Sequence, residues 1–95
     1  MMAELKDTAQ MMSSADYKER FKAEYYQTKI RYEKLKAFNN KIEASKSTNV
    51  MWDACKKVEI PKHDCPDHLL RDQQHNKGQY LHILEVRAVI EGIEL

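Results

Sequence analysis

Glycine, proline and cysteine are nearly missing from these 95 residues, with two of each. So few breakers leave little means of making the tight turns of a strand-rich fold. The abundance of Lys, Glu, Ala and Leu instead favours long helices. Cys55 and Cys65 are too few for a disulfide scaffold, which points to a reducing, intracellular compartment. No apolar run approaches the ~18 residues of a membrane span. The opening Met1–Asp7 carries charges where a secretory leader would need apolar residues. Gly78 and Gly92 cannot by themselves build a glycine-rich phosphate loop. His-Glu-x-x-His and Gly-x-Ser-x-Gly are also lacking. No catalytic residue is assigned, and the chain reads as a non-enzyme with no cofactor.

What is present is helical periodicity. Phe21, Thr28, Leu35 and Ile42 are spaced by seven, and Tyr25, Tyr32 and Asn39 follow the first three by four. Such spacing puts both sets on one stripe of a helix, where a partner helix can pack. Gln73, Tyr80 and Arg87 repeat the period downstream. The stripe is polar for a helix seam, so it serves either packing register or a binding surface.

The expected fold is all-α: a long antiparallel helical hairpin with a short extra element in the connection. Residues 1–13 form an N-terminal arm, with Leu5, Ala9 and Met12 on one side of any helical turns. A long helix spans 15–45, opened by Ser13 and Asp16 as a capping box and ended by the Ser45–Asn49 run. A connection follows over 46–65, with a short helix near 50–57 and Trp52 over the end of the hairpin. A second helix spans 66–91, begun by Pro66 and ended at Gly92, with Ile93 and Leu95 folding back. In that helix Tyr80, Leu81, Ile83, Leu84, Val86, Ala88, Val89 and Ile90 cover nearly the whole circumference. A segment apolar on all sides needs cover on all sides. In so short a chain the natural cover is another copy, so a homo-oligomer is expected.

Charge is divided unevenly. Residues 17–46 hold nine Lys or Arg and four Glu, a balance of +5, whereas 67–95 hold three basic and five acidic residues, a balance of −2. Lys18, Lys22, Lys29 and Lys36 would follow a nucleic-acid backbone, but Glu19, Glu24 and Glu33 interrupt them, which argues against that partner. His63-x-Cys65-x-x-His68 has the ligand types for zinc. Without a Cys-x-x-Cys pair, and with Pro66 between the ligands, no metal site is assigned. The polar stripe admits two readings. In one, Arg87 pairs with Glu24 and fixes the register of the two helices. In the other, arginine forks and tyrosine rings line a cleft for a nucleotide-like ligand.

Tyr17-Lys-Glu-Arg-Phe21, Glu24-Tyr25, Arg31 and Leu35, with Cys65-Pro66, Leu69-Leu70, Gln73, Tyr80, Leu84, Arg87-Ala88 and Glu91–Leu95, resemble a small phage-encoded helical family. Its namesake is a crAss-like bacteriophage protein of unknown role. The chain departs from the family pattern in a longer 46–64 connection and in Lys77, where an apolar residue would suit the seam. The resemblance implies a phage origin, a helical hairpin and no established activity. It suggests a non-enzymatic accessory protein in the host cytoplasm that counters host defence by binding and sequestering a nucleotide-type immune signal. Arg20, Arg31 and Arg87 would hold phosphates, Tyr25 and Tyr80 would stack or donate, and Gln73 would complete the set. The alternative is a protein-binding or structural module that contacts a host or phage protein through Trp52 and the 46–64 connection.

Overall fold

The structure is a computed structural model that describes residues 5–48 and 61–95. It contains three helices: α1 over Leu5–Met12, α2 over Tyr17–Thr48 and α3 over Asp67–Glu91. Among the described residues there is no strand, and no helix is long and apolar enough to cross a membrane. Trp52, Cys55 and the short helix expected near 50–57 lie outside the described residues.

The arm drawn over 1–13 contains α1, and α1 packs on α2. Its inward residue is Thr8, fully buried, whose hydroxyl donates to the Leu5 carbonyl at 2.6 Å. Ala9 and Met12, expected to share the inward side with Leu5, are exposed. The caps between α1 and α2 also differ from the expected box. Ser13 Oγ turns back to the Ala9 and Gln10 carbonyls, both at 3.2 Å, and so closes α1. Asp16 caps α2 alone, its Oδ1 accepting from the Lys18 amide at 3.0 Å. At the other end α2 continues past residue 45 to Thr48. Ser45 donates to the Ile42 carbonyl at 2.7 Å and is fully buried, so its hydroxyl is satisfied within the helix.

The heptad face of α2 is the packed face. Phe21, Tyr25, Thr28, Asn39 and Ile42 are buried, and Tyr32 and Leu35 are half-buried. Cross-contacts pair the start of α2 with the end of α3 and the reverse. Tyr17 meets Glu91, Tyr25 meets Glu85, Asn39 meets Leu70 and Gln74, and Lys46 meets Asp67. The two helices therefore run in opposite directions. The core gathers at one end, from Phe21, Tyr25, Leu81, Leu84, Ala88 and Ile93. Near the middle, α3 comes close to α2 at Gly78, where an added Cβ would lie 3.2 Å from Tyr32 Cε1.

Gly92 ends α3 in the left-handed region, with φ 70 and ψ 31. Its amide and that of Ile93 both reach the Ala88 carbonyl, the latter at 2.8 Å, and Ile93 drops into the core. Of the clasp expected from Ile93 and Leu95, only Ile93 is buried. A side chain at Gly92 would meet no atom within 4 Å, so any cost of substitution is a backbone cost. Gly92→Ala should lower stability by about 1 kcal/mol, a melting shift of roughly 4–8 °C for a domain of this size. Gly92→Asn should cost less, because Asn tolerates this conformation. Thermal unfolding of the three proteins checks the order.

Candidate functional site

The two flanks of the α2–α3 pair differ. One carries a groove of about 610 Å³. On α2 the spacing of Glu24, Thr28 and Arg31 puts all three on that flank, and Gln73, Asn76 and Tyr80 do the same on α3, with Lys77 beside them. Glu24 is held in place: its Oε1 accepts from Thr28 Oγ1 and from the Tyr80 hydroxyl, each at 3.3 Å. Burial and the nearby Glu24 carboxylate raise the Tyr80 pKa, so its hydroxyl remains a donor. Arg31 is exposed and Lys77 half-buried, and neither has a hydrogen-bonding or ionic partner among the described residues. The groove thus offers two uncommitted cations, an aromatic ring, two amide side chains and the acids Glu24 and Asp72.

The opposite flank is built around Tyr25. Its hydroxyl donates to Glu85 Oε2 at 2.6 Å, its ring meets Tyr26 edge-on at 5.2 Å, and the Lys29 ammonium lies 5.9 Å from its centroid. Burial, with the Glu85 bond second, pushes the Tyr25 phenol up to about 12. This tyrosine ties α2 to α3.

Arg87 stands on the flank of the groove but nearer the end of α3, and its donors are committed. Its Nε donates to Glu91 at 3.1 Å, its Nη2 donates to the Tyr17 hydroxyl at 2.8 Å, and its guanidinium lies 5.1 Å from the Phe21 ring centroid. Tyr17 in turn donates to Glu91 at 2.8 Å. That bond and Arg87 hold the Glu91 carboxyl below its ordinary range. Arg87 does not pair with Glu24, whose acceptor goes to Tyr80. Arg20, at the start of α2, donates to the Ser14 carbonyl at 2.9 Å.

Of the six residues singled out from the sequence, the fold brings together Arg31, Gln73 and Tyr80 in one groove. Tyr25 is on the far flank, and Arg20 and Arg87 hold structural contacts at the α1–α2 turn and the end of α3. Lys77, Asn76 and Thr28 complete the groove. Nothing in a seven-residue period marks Asn76. Lys77 does carry a signal, as the cation that interrupts an otherwise seam-like position.

Among the described residues no group of three or more His, Cys, Asp or Glu is placed to hold a metal ion. Cys65 is a free, exposed thiol. His63 faces Asp67, and the two do not converge with His68 on a common point.

A family model described as Sequestin matches residues 15–90 of the chain. No curated protein and no solved structure matches it.

The Tyr25 contact predicts a pH dependence. Its folded pKa is raised from the ordinary 10.0 to about 12, so folding favours the protonated phenol. That contribution is fully present below pH 10 and fades as pH rises through about 12. Tyr25→Phe should remove it: the stability gap between wild type and variant should narrow as urea midpoints are followed upward through that window.

Proposed function

The chain belongs to the Sequestin family, and on that footing we propose that it binds and sequesters a nucleotide-type signal without turning it over. The family name itself speaks for sequestration. The observation that carries the ligand class is the groove in which Arg31 and Lys77 stand, without partners among the described residues, beside Tyr80, Gln73 and Asn76. An arginine fork and an ammonium suit phosphate oxygens. A tyrosine ring suits a base or a ribose face, and amide side chains match the edges of a base. Glu24 and Asp72 on the rim disfavour a long polyanion and suit a compact ligand of few charges. In this reading the protein is a phage accessory factor. It acts in the cytoplasm of the infected cell and withdraws an immune signal from its receptor.

A second copy of the chain completes the proposal. Ile83, Val86 and Ile90 line the back of α3, away from α2, at 54%, 45% and 77% exposure, and Val89 beside them is 83% exposed. A helix face this apolar is stable in water when covered. Among the described residues nothing covers this face, and an isologous pairing of α3 with its copy does.

Calorimetric titration with cyclic dinucleotides and ADP-ribose derivatives tests the ligand. Micromolar binding to one of them is expected. Arg31→Ala should weaken it by about tenfold or more, the worth of a hydrogen bond to a charged group. Heat from none of the panel sinks the nucleotide reading. Sedimentation tests the assembly: wild type should run as an oligomer and Ile90→Asp as a smaller species. A wild-type monomer at micromolar concentration would turn the apolar back of α3 over to a host or phage protein, the contact of a protein-binding module.

A further inference from the structure

His63 lies in the stretch that leads into α3, and both of its ring nitrogens face oxygen. Nδ1 is 2.6 Å from the Cys65 carbonyl and Nε2 is 3.2 Å from Asp67 Oδ1. The ring stands edge-on to Phe38 of α2, with centroids 5.9 Å apart. A backbone carbonyl only accepts. Asp67 also only accepts, because the Lys46 hydrogen bond holds its carboxyl below the ordinary range. A neutral imidazole has one N–H and one lone pair. In either neutral tautomer a lone pair would point at an oxygen. The imidazolium alone donates at both.

We infer that His63 is a proton-operated latch. Protonated, it ties the residues before α3 to the first turn of α3, and through Asp67 to Lys46 on α2. Without the second proton one of the two contacts breaks, and residues 61–66 loosen while the helix pair stays closed. The pair stays closed because Lys46 bonds the other oxygen of Asp67, Oδ2.

The charged groups around the ring are consistent with this division. From α2 comes Lys46, acting through Asp67, together with the uncharged Phe38. From α3 come Asp67 itself and Arg71, whose charge is felt at that carboxylate. Lys62 and Asp64, the neighbours in the same stretch, are both exposed. Asp67, Lys46 and Arg71 also line a second pocket, of about 370 Å³, with Asn39 and Gln74. His63 touches that pocket only through Asp67. The latch rests on the His63 geometry and is independent of what the groove binds.

The test is nuclear magnetic resonance of the intact chain, labelled with ¹⁵N throughout. At about pH 5.5 both His63 ring N–H groups should be hydrogen-bonded and the ring should show contacts to Phe38. Raising the pH to about 8 should remove one ring N–H and weaken the Phe38 contact at least about twofold, and the Cys65 and Asp67 amide shifts should move with the same midpoint. In His63→Gln those amide shifts should stay flat across the range, with helicity unchanged. A Phe38 contact of constant strength in wild type, or amide shifts that still titrate in a folded His63→Gln, overturns the latch. The wild-type titration decides alone if the variant does not fold.

Discussion

The packing of Phe21 and Tyr25 against Leu81, Leu84, Ala88 and Ile93 is the constraint on which the rest of this structure depends. Full burial of such a large apolar side chain is worth about 1.5–3 kcal/mol, and these are gathered at one end of the helix pair. The other end is held differently. There Asn39 donates to the Leu70 carbonyl at 3.1 Å and to Gln74 at 2.9 Å, and Lys46 pairs with Asp67. The Lys46 side chain is 56% exposed, and an ion pair so open to water contributes roughly 0–1 kcal/mol. The polar end is thus much the weaker of the two. The helix pair is held by an apolar cluster at the Phe21 end and by polar contacts around the buried Ile42 at the Lys46 end, and the groove of Arg31 and Tyr80 lies between them.

How much of this was legible follows from where periodicity carries a phase. On α2 it does. The stripe of Phe21, Thr28 and Ile42 with Tyr25 and Asn39 is buried as its spacing implies. The donors of its polar members find partners, Tyr25 at Glu85, Thr28 at Glu24 and Asn39 Nδ2 at Gln74, while Asn39 Oδ1 is buried without a partner among the described residues. On α3 the apolar residues run all round the helix, so no phase can be read from them. The buried line is Leu81, Leu84 and Ala88, whereas the Gln73, Tyr80 and Arg87 stripe falls on the flank beside it. Only the partner helix and the fold-back at Gly92 decide which side turns inward. Capping had the same ambiguity on a smaller scale. Ser13, Ser14 and Asp16 all have the right chemistry, and the structure gives Ser13 to the end of α1 and Asp16 to the start of α2.

The same limit explains the site. A seven-residue spacing places Gln73, Tyr80 and Arg87 on one stripe, but it does not say which of their polar groups are already engaged. That depends on residues far off in sequence. Tyr17 is 70 residues from Arg87 and 74 from Glu91, yet these three groups close on one another at the end of α3. Glu24 and Tyr80 are 56 apart.

Commitment of donors then separates the arginines. Arg87 has donors bonded to Glu91 and Tyr17, and its guanidinium carbon lies over the Phe21 ring. Binding a phosphate through it would leave the Glu91 carboxylate and the Tyr17 hydroxyl to find new partners, and would uncover an aromatic ring of the core. Arg20 would likewise have to release the Ser14 carbonyl beside the α2 cap. Among the described residues Arg31 has no hydrogen bond or ion pair to break when it turns to an incoming anion, and Lys77 faces the same groove on equal terms. A ligand gains most from groups whose unbound state is merely hydrated. On the proposed reading, the basic residues that a ligand would use are therefore those without a partner among the described residues.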